Sequence, residues 1–107
     1  MAIQILNGGA GTVTPPGPYT KAPDGNGYVD FHSCGRNPVS IRVTAVGGYS
    51  ADVVTIQQSP DSGTTWISEG TLASGAELTI ERPVEWLRAS AGAGLVGTAK
   101  VYAEASA

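Results

Sequence analysis

Short apolar runs separated by glycine and proline are the feature that most constrains this chain. From residue 28 onward such runs recur about every 8 to 12 residues between turn signals, the spacing of a β sandwich or jelly roll. Among 107 residues there are 15 glycines and 7 prolines, and they interrupt every stretch with helical apolar spacing. The pattern therefore predicts one all-β domain, an antiparallel sandwich, jelly-roll or immunoglobulin-like, of about seven to eight strands.

Composition and alternation support this prediction. Val, Ile and Thr number 26, whereas Leu and Met number 6, which favours strands over helices. Alternation of apolar and polar residues is clearest from Val39 to Ala45. The seven predicted strands are Tyr28–His32, Val39–Ala45, Ala51–Ser59, Thr65–Glu69, Ala76–Glu81, Trp86–Ala91 and Thr98–Ala103. The predicted core residues are Ile41, Val43, Val54, Ile56, Leu78, Ile80, Leu87 and Val101.

The N-terminal quarter of the chain has a different composition. Residues 7–27 contain six of the glycines and four of the prolines, so this stretch is expected to be extended and semi-rigid. We divide the chain into an extended N-terminal arm, residues 1–27, and a β-sandwich domain, residues 28–107. The arm is long enough to reach another subunit, and its candidate contact residues are Val13, Pro15, Pro16, Pro18 and Tyr19.

Charge and cysteine content limit the classes of partner. The formal net charge is −3 and the pI is near 4.8, so direct binding of nucleic acid is not expected. No run of apolar residues predicts a signal peptide or a membrane span. We therefore expect a protein made in the cytoplasm, without membrane contact. Cys34 is the one cysteine, so no internal disulfide can form.

Catalytic and metal-binding constellations are difficult to assemble from these residues. His32 and Cys34 invite a nucleophile-and-base interpretation, but two ligands do not hold zinc, and a structural role for Cys34 is the preferred interpretation. The nine carboxylates are scattered without the pattern of a calcium loop. A small hydrolase with a hidden carboxylate pair stays open as an alternative. The preferred prediction is a protein that is not an enzyme and has no cofactor, metal or catalytic residues.

The strongest local motif resembles an Asp-box, written Ser-x-Asp-x-Gly-x-Thr-Trp. Its physical role is that of a hairpin staple, because the Ser and Asp side chains accept bonds from local backbone N–H groups and the glycine supplies a positive φ. The tryptophan then covers the turn. In sialidases, copies of this box lie on successive propeller blades, and one copy in a chain this short predicts a hairpin only. The motif residues are Ser59, Asp61, Gly63, Thr65 and Trp66.

One predicted strand carries further candidates for an interface. Trp86 precedes Leu87, so one of the two side chains faces outward. Arg88 and Arg42 are expected at the edge or rim of a sheet, with a carboxylate partner such as Glu69 or Glu85. Trp86 and Arg88 therefore join the residues of the arm as the candidate subunit interface.

The order of these segments resembles small bacteriophage virion proteins, the capsid decoration or cement proteins and related head and tail modules. The residues that carry the resemblance are the hairpin from Gln57 to Trp66, the strand from Arg82 to Arg88 and a final glycine-led strand. The resemblance covers residues 28–107 and leaves out the arm.

The resemblance implies a β-sandwich that lies on the exterior of a virion capsid. Such proteins commonly bind as homotrimers across adjacent subunits of the major capsid (coat) protein and stabilise the shell through many weak contacts. The alternative is a phage tail or host-recognition module that binds carbohydrate, with Trp86 and a tyrosine as a stacking platform.

Overall fold

The structure, a computed structural model, describes residues 2–17, 19–30, 40–81, 84 and 86–106. These residues form eleven β strands, and no helix long and apolar enough to cross a membrane occurs among them. The prediction of an all-β chain is confirmed, although the strands outnumber the expected seven or eight. The strands are β1 (Ala2–Gly8), β2 (Thr20–Lys21), β3 (Gly27–Asp30), β4 (Ser40–Val46), β5 (Tyr49–Ser50), β6 (Val54–Ser59), β7 (Ile67–Leu72), β8 (Glu77–Ile80), β9 (Trp86–Ala91), β10 (Val96–Gly97) and β11 (Ala99–Ser106).

The strands form two main sheets whose described pairings are antiparallel. One sheet has four strands in the order β1-β11-β4-β8, and the other has five in the order β2-β3-β9-β6-β7. Strands β5 and β10 pair as a short ribbon that continues the pairing of β4 with β11 toward one end of the molecule. One hydrophobic cluster takes residues from both sheets, so the architecture is a β sandwich.

All seven predicted strands have a counterpart, although the predicted bounds His32 and Val39 lie outside the described residues. Most of the other boundaries are shifted by a few residues. Strand β9 has the predicted bounds, whereas β6 begins later than predicted because residues 51 and 52 form a bend. Of the four additional strands, three contain two residues each and were too short to give a sequence pattern. The fourth, β1, is a full strand of seven residues.

The predicted core is confirmed with one adjustment. Leu78 is half-buried and packs against the core from its edge, whereas the other seven predicted residues are buried. Those seven are Ile41, Val43, Val54, Ile56, Ile80, Leu87 and Val101.

The sandwich begins near the start of the chain, and this corrects the expected boundary at residue 27. Strand β1 pairs with β11, from Ala2 opposite Glu104 to Gly8 opposite Ala99. Ile5 and Leu6 are both fully buried in the core cluster, because an irregularity in the pairing between Gln4 and Leu6 turns two consecutive side chains inward.

The segment after β1 lies along the second sheet of its own chain. The Gly11 N–H donates to the carbonyl of Ala91 at 3.2 Å, and the Ala91 N–H donates to the carbonyl of Thr12 at 2.8 Å. Further on, the Gly27 N–H donates to Thr14 Oγ1 at 3.3 Å. Residues 11–14 are therefore hydrogen-bonded to the second sheet of their own chain.

Candidate functional site

The turn between β6 and β7 is organised by two short side chains. Ser59 is 2% exposed, and its Oγ accepts bonds from the N–H groups of Asp61 (3.2 Å) and Gly63 (2.8 Å) and donates to Asp61 Oδ1 (2.9 Å). Asp61 Oδ1 also accepts the N–H of Thr65 at 2.7 Å. These bonds link four of the five Asp-box residues into one turn.

Hydrogen bonds to the ionised form of Asp61 lower the pKa of its carboxyl group. The Thr65 backbone N–H is the main cause, with the Thr65 and Ser59 hydroxyls assisting, and together they hold the pKa of the Asp61 carboxyl below its ordinary value of 3.8. The carboxylate therefore stays charged at neutral pH and acts as an acceptor within the turn.

Gly63 lies where the turn meets Tyr28 of β3. Its φ is +91°, a value that favours glycine. A Cβ at this position would lie 2.6 Å from Cε1 of Tyr28 and 3.3 Å from the Cβ of Ala22. The Tyr28 hydroxyl donates to the carbonyl of Ser62 at 3.0 Å, so the turn is fastened to the body of the sandwich.

Trp66, the last Asp-box residue, covers the outer side of the five-stranded sheet. Its ring meets Tyr28 edge to face, with the centroids 5.5 Å apart, and the guanidinium carbon of Arg88 lies 4.0 Å from its centroid. The indole is half-buried. The contact is a cation–π interaction. Because water is partly excluded from it, it is stronger than the same contact between fully exposed groups.

Arg88 lies at the centre of this arrangement and corrects the expectation of an edge position. Its strand, β9, runs between β3 and β6, and the residue is only 7% exposed. Its Nε donates to Gln57 Oε1 at 2.8 Å and its Nη1 donates to Asp24 Oδ2 at 2.7 Å. The carboxylate that Arg88 binds is thus Asp24, which the sequence did not suggest, and Glu85 lies outside the described residues. We call Asp24, Tyr28, Gln57, Trp66 and Arg88 the Arg88 cluster.

Asp24 connects the N-terminal segment to this cluster. The Arg88 side chain is the main cause that lowers the pKa of the Asp24 carboxyl below its ordinary value of 3.8, and the Asn26 N–H adds to the effect. That N–H donates to Asp24 Oδ1 at 3.0 Å. The Asp24 side chain is 40% exposed, so the pair is partly screened by solvent.

The candidate interface residues do not form one exposed surface. Pro15 and Arg88 are buried within their own chain, and Val13 and Trp86 are half-buried. Pro16 is exposed. Tyr19 is 48% exposed, with its ring lying against Gly27. Pro18 lies outside the described residues.

Sequence reasoning missed Asp24, Tyr28 and Gln57 as members of a cluster. Asp24 was counted only among the scattered carboxylates, and Gln57 only as the start of the hairpin segment. Arg88 and Asp24 are 64 positions apart, so no local pattern could pair them. The one available signal was Arg88 itself, a charge between apolar neighbours.

Several loops of the described chain lie together at one end of the sandwich. Strands β1, β4, β7 and β9 end there, and β6, β8 and β11 begin there. We call the loops at this end the glycine-rich end, because they hold eight of the chain's glycines. The glycine-rich end consists of residues 9–12, 47–53, 73–75 and 92–98.

The glycine-rich end has almost no charge. Asp52 is its one charged residue, and both carboxylate oxygens are engaged, Oδ1 by the Val53 N–H at 2.8 Å and Oδ2 by the Gly94 N–H at 3.1 Å. The exposed positions here are otherwise Ala, Gly, Ser, Thr and Val. Val96 is 61% exposed, and Val46, at the base of the first turn, is 44% exposed.

His32 and Cys34, the residues of the nucleophile-and-base interpretation, lie outside the described residues. Within the part of the chain that the structure describes, no three carboxylate, histidine or cysteine residues lie close enough to hold a metal ion. Comparison with models of protein families, with characterised proteins and with solved structures finds no match for this chain.

Proposed function

We propose that this chain is a non-enzymatic structural protein of a bacteriophage particle, which decorates the capsid and stabilises it by binding across coat-protein subunits. The observation that carries the proposal is the contrast between the two parts of the molecule described above. The members of the Arg88 cluster are bonded to one another within the chain. Val96 is exposed on the glycine-rich end, whose one charged residue is Asp52, and Val46 is exposed at its base.

A surface of this kind is suited to contact with protein. The core of a protein interface is depleted in charged residues, and an exposed apolar patch bordered by polar residues is typical of an interaction site. The resemblance of residues 28–107 to decoration proteins supplies the setting, a coat lattice with many equivalent sites.

The small, closed sandwich also suits a protein that must persist on the outside of a shell. Residues 11 and 12 are hydrogen-bonded to the end of β9. Strand β7, the last of its sheet among the described residues, carries an irregularity around Gly70 that disrupts regular pairing. Such edges resist pairing with strands of other chains. Stability in this setting does not require a disulfide.

The proposal is tested by binding to capsids. The purified protein is mixed with shells assembled from the major coat protein of the same genome, and bound and free protein are separated by sedimentation. We expect saturable binding at a fixed ratio to coat subunits and a rise in the temperature at which shells break. Absence of co-sedimentation under all conditions that preserve the shells would overturn the proposal.

Carbohydrate binding is the second candidate, and the placement of Trp86 favours it. The half-buried indole is paired across the sheet with Asp30 and Ser59, which sets an aromatic ring beside polar groups. Titration with host surface glycans, followed by tryptophan fluorescence in the wild type and in Trp86→Phe, separates the two candidates. A signal that saturates in the wild type and vanishes in the variant would favour the tail or host-recognition role.

A further inference from the structure

We propose that Arg88, Gln57 and Trp66 form a binding site for a carboxylate, which Asp24 of the same chain occupies in this structure and which an aspartate of a partner protein can take over. The inference goes beyond the proposed function, which concerns the glycine-rich end and not this sheet. It rests on the burial of Arg88, on the contacts that hold this side chain and on an indole N–H that has no partner.

The guanidinium of Arg88 is held in place by groups other than Asp24. Its Nε donates to Gln57 Oε1 at 2.8 Å, and its central carbon lies 4.0 Å from the centroid of the Trp66 ring. Gln57 and Arg88 are directly paired residues of β6 and β9, two strands that have neighbours on both sides. The cation therefore keeps its orientation when Asp24 leaves, and a site that is ordered in advance binds with a smaller loss of entropy.

Asp24 is the more loosely held member of the ion pair. Its side chain is 40% exposed, whereas that of Arg88 is 8% exposed. Its Oδ2 accepts from Arg88 Nη1 at 2.7 Å, while its Oδ1 accepts from the N–H of Asn26 within the turn. The carboxylate is thus divided between the turn and the arginine. A carboxylate from another chain can direct both oxygens at the guanidinium, and such paired bonds are the stronger arrangement.

Rotation of one side chain is enough to open the site. The turn that carries Asp24 is closed by backbone bonds, in which the Ala22 N–H donates to the carbonyl of Asn26 at 2.7 Å and the Gly25 N–H donates to the carbonyl of Ala22 at 3.0 Å. These bonds do not involve Oδ2 of Asp24, so the backbone of the turn keeps them when that side chain rotates into solvent. The site then opens toward the side on which Asp24 is exposed.

The Trp66 indole gives a second reason to expect a ligand. Its Nε1 is buried and has no hydrogen-bond partner within the described part of the chain, and a buried donor without a partner lowers stability. Because the guanidinium of Arg88 stacks on this same ring, the indole N–H and the guanidinium are neighbouring donors. A partner segment that places an acceptor beside its carboxylate gains a bond that Asp24 does not make.

The chemistry of the site favours a protein carboxylate over other anions. A single planar guanidinium matches one carboxylate, and the net charge of −3 disfavours doubly charged phosphate groups. The group that now occupies the site is an aspartate in a short turn between two strands. The expected ligand is therefore a peptide segment that presents one aspartate from a similar turn.

The test removes the carboxylate that closes the site and offers a peptide in its place. Two full-length proteins both carry Trp86→Phe, so that fluorescence reports on Trp66, and they differ only in Asp24→Ala. The probe is a capped synthetic peptide with the sequence of residues 20–27, and the control peptide has asparagine in place of its aspartate. In Asp24→Ala we expect the aspartate peptide to bind about tenfold or more tightly than the asparagine peptide. With Asp24 present, the dissociation constant of the aspartate peptide should rise about tenfold or more, because only a small fraction of molecules has an open site.

Two further variants show whether Arg88 is the group that binds the peptide. Arg88→Lys, added to Asp24→Ala, keeps the charge but loses the planar fork, so the aspartate peptide should bind about tenfold or more weakly. Arg42→Ala is the matched control, since Arg42 lies on the other sheet and its loss should leave the dissociation constant unchanged. Circular dichroism verifies that each variant is folded, and Asp24→Asn replaces Asp24→Ala if the alanine variant is not.

A folded Asp24→Ala variant that binds neither peptide would overturn the inference, as would equal dissociation constants for the two peptides or an unchanged dissociation constant in Arg88→Lys. Sodium acetate that competes at the same concentration as the aspartate peptide would contradict a peptide as the ligand, because any carboxylate would then suffice. Equal affinity for the aspartate peptide with and without Asp24 would contradict the role of Asp24 in closing the site.

Discussion

At the scale of single residues, two glycines with the same φ angle differ in what surrounds them. Gly63 and Gly25 both have a φ of +91°. A Cβ at Gly25 would meet no atom within 4 Å, whereas one at Gly63 would meet the ring of Tyr28. The pair therefore separates the cost of the backbone conformation from the cost of packing.

We expect Gly25→Ala to lower the free energy of unfolding by about 1 kcal/mol, the cost of the left-handed conformation. Gly63→Ala should lower it by about 2–4 kcal/mol, because overpacking against Tyr28 adds to the same cost. Urea denaturation of both variants measures the difference. Equal decreases in the free energy of unfolding in the two variants would show that the Tyr28 ring moves aside at no cost in free energy.

Two arginines also contrast in their contacts. Arg88 is buried with two hydrogen-bond partners and an aromatic ring, whereas Arg42 meets Glu104 at 3.5 Å with both side chains half exposed. We expect Arg88→Ala to cost about 2–3 kcal/mol of unfolding free energy, since it leaves a void and unpartnered polar groups. Arg42→Ala should change it by about 0.5 kcal/mol or less. Similar values for the two substitutions in denaturant unfolding would contradict the structural role of the Arg88 cluster.

At the scale of elements, the ion pair between Asp24 and Arg88 joins the β2–β3 turn to β9. The pKa of Asp24 is lowered in the folded state, so its contribution to stability is present above the ordinary value of 3.8 and is lost as the pH falls through the lowered pKa. The melting temperature of Asp24→Asn should lie below that of the wild type at neutral pH, and the two should converge in acid. If the difference in melting temperature between the two proteins stays constant throughout the acid range, the ion pair contributes no pH dependence to stability.

Strand β1 is the element whose role differs most from the expectation of an arm. Leu6 is fully buried, whereas its neighbour Asn7 is exposed. Leu6→Ala should therefore lower the free energy of unfolding by about 2–5 kcal/mol, while Asn7→Ala should change it by about 0.5 kcal/mol or less. Thermal denaturation of the two variants provides the measurement. A negligible effect of Leu6→Ala would restore the view that the first residues lie outside the core.

At the scale of the whole molecule, we expect a single unfolding transition, because both sheets share one core and the N-terminal segment is bonded to it. Residues from both sheets and from β1 share a hydrophobic cluster, and Asp24 ties the segment after β1 to the second sheet. In a Trp86→Phe variant, fluorescence reports on Trp66 in the Arg88 cluster, and circular dichroism reports on the sheets. The two signals should give the same midpoint in urea. A fluorescence change that precedes the loss of strand signal would show that the N-terminal segment detaches first.

The sequence by itself determined the features that depend on neighbouring residues. Strand alternation placed seven of the strands and nearly all of the predicted core, because a period of two is set by the strand backbone itself. The Asp-box turn follows the same logic, since its bonds join residues no more than four positions apart.

Only the tertiary structure decided what the first 27 residues and Arg88 do. Glycine and proline in residues 7–27 indicate an extended chain, and an extended chain can cover its own sandwich or a neighbour's with the same local conformation. Strand β1 lies beside β11, almost a hundred positions away along the chain, and Arg88 finds Asp24 across 64 positions. Pairings of this kind depend on which surfaces the folded chain brings together, and local pattern carries no information about them.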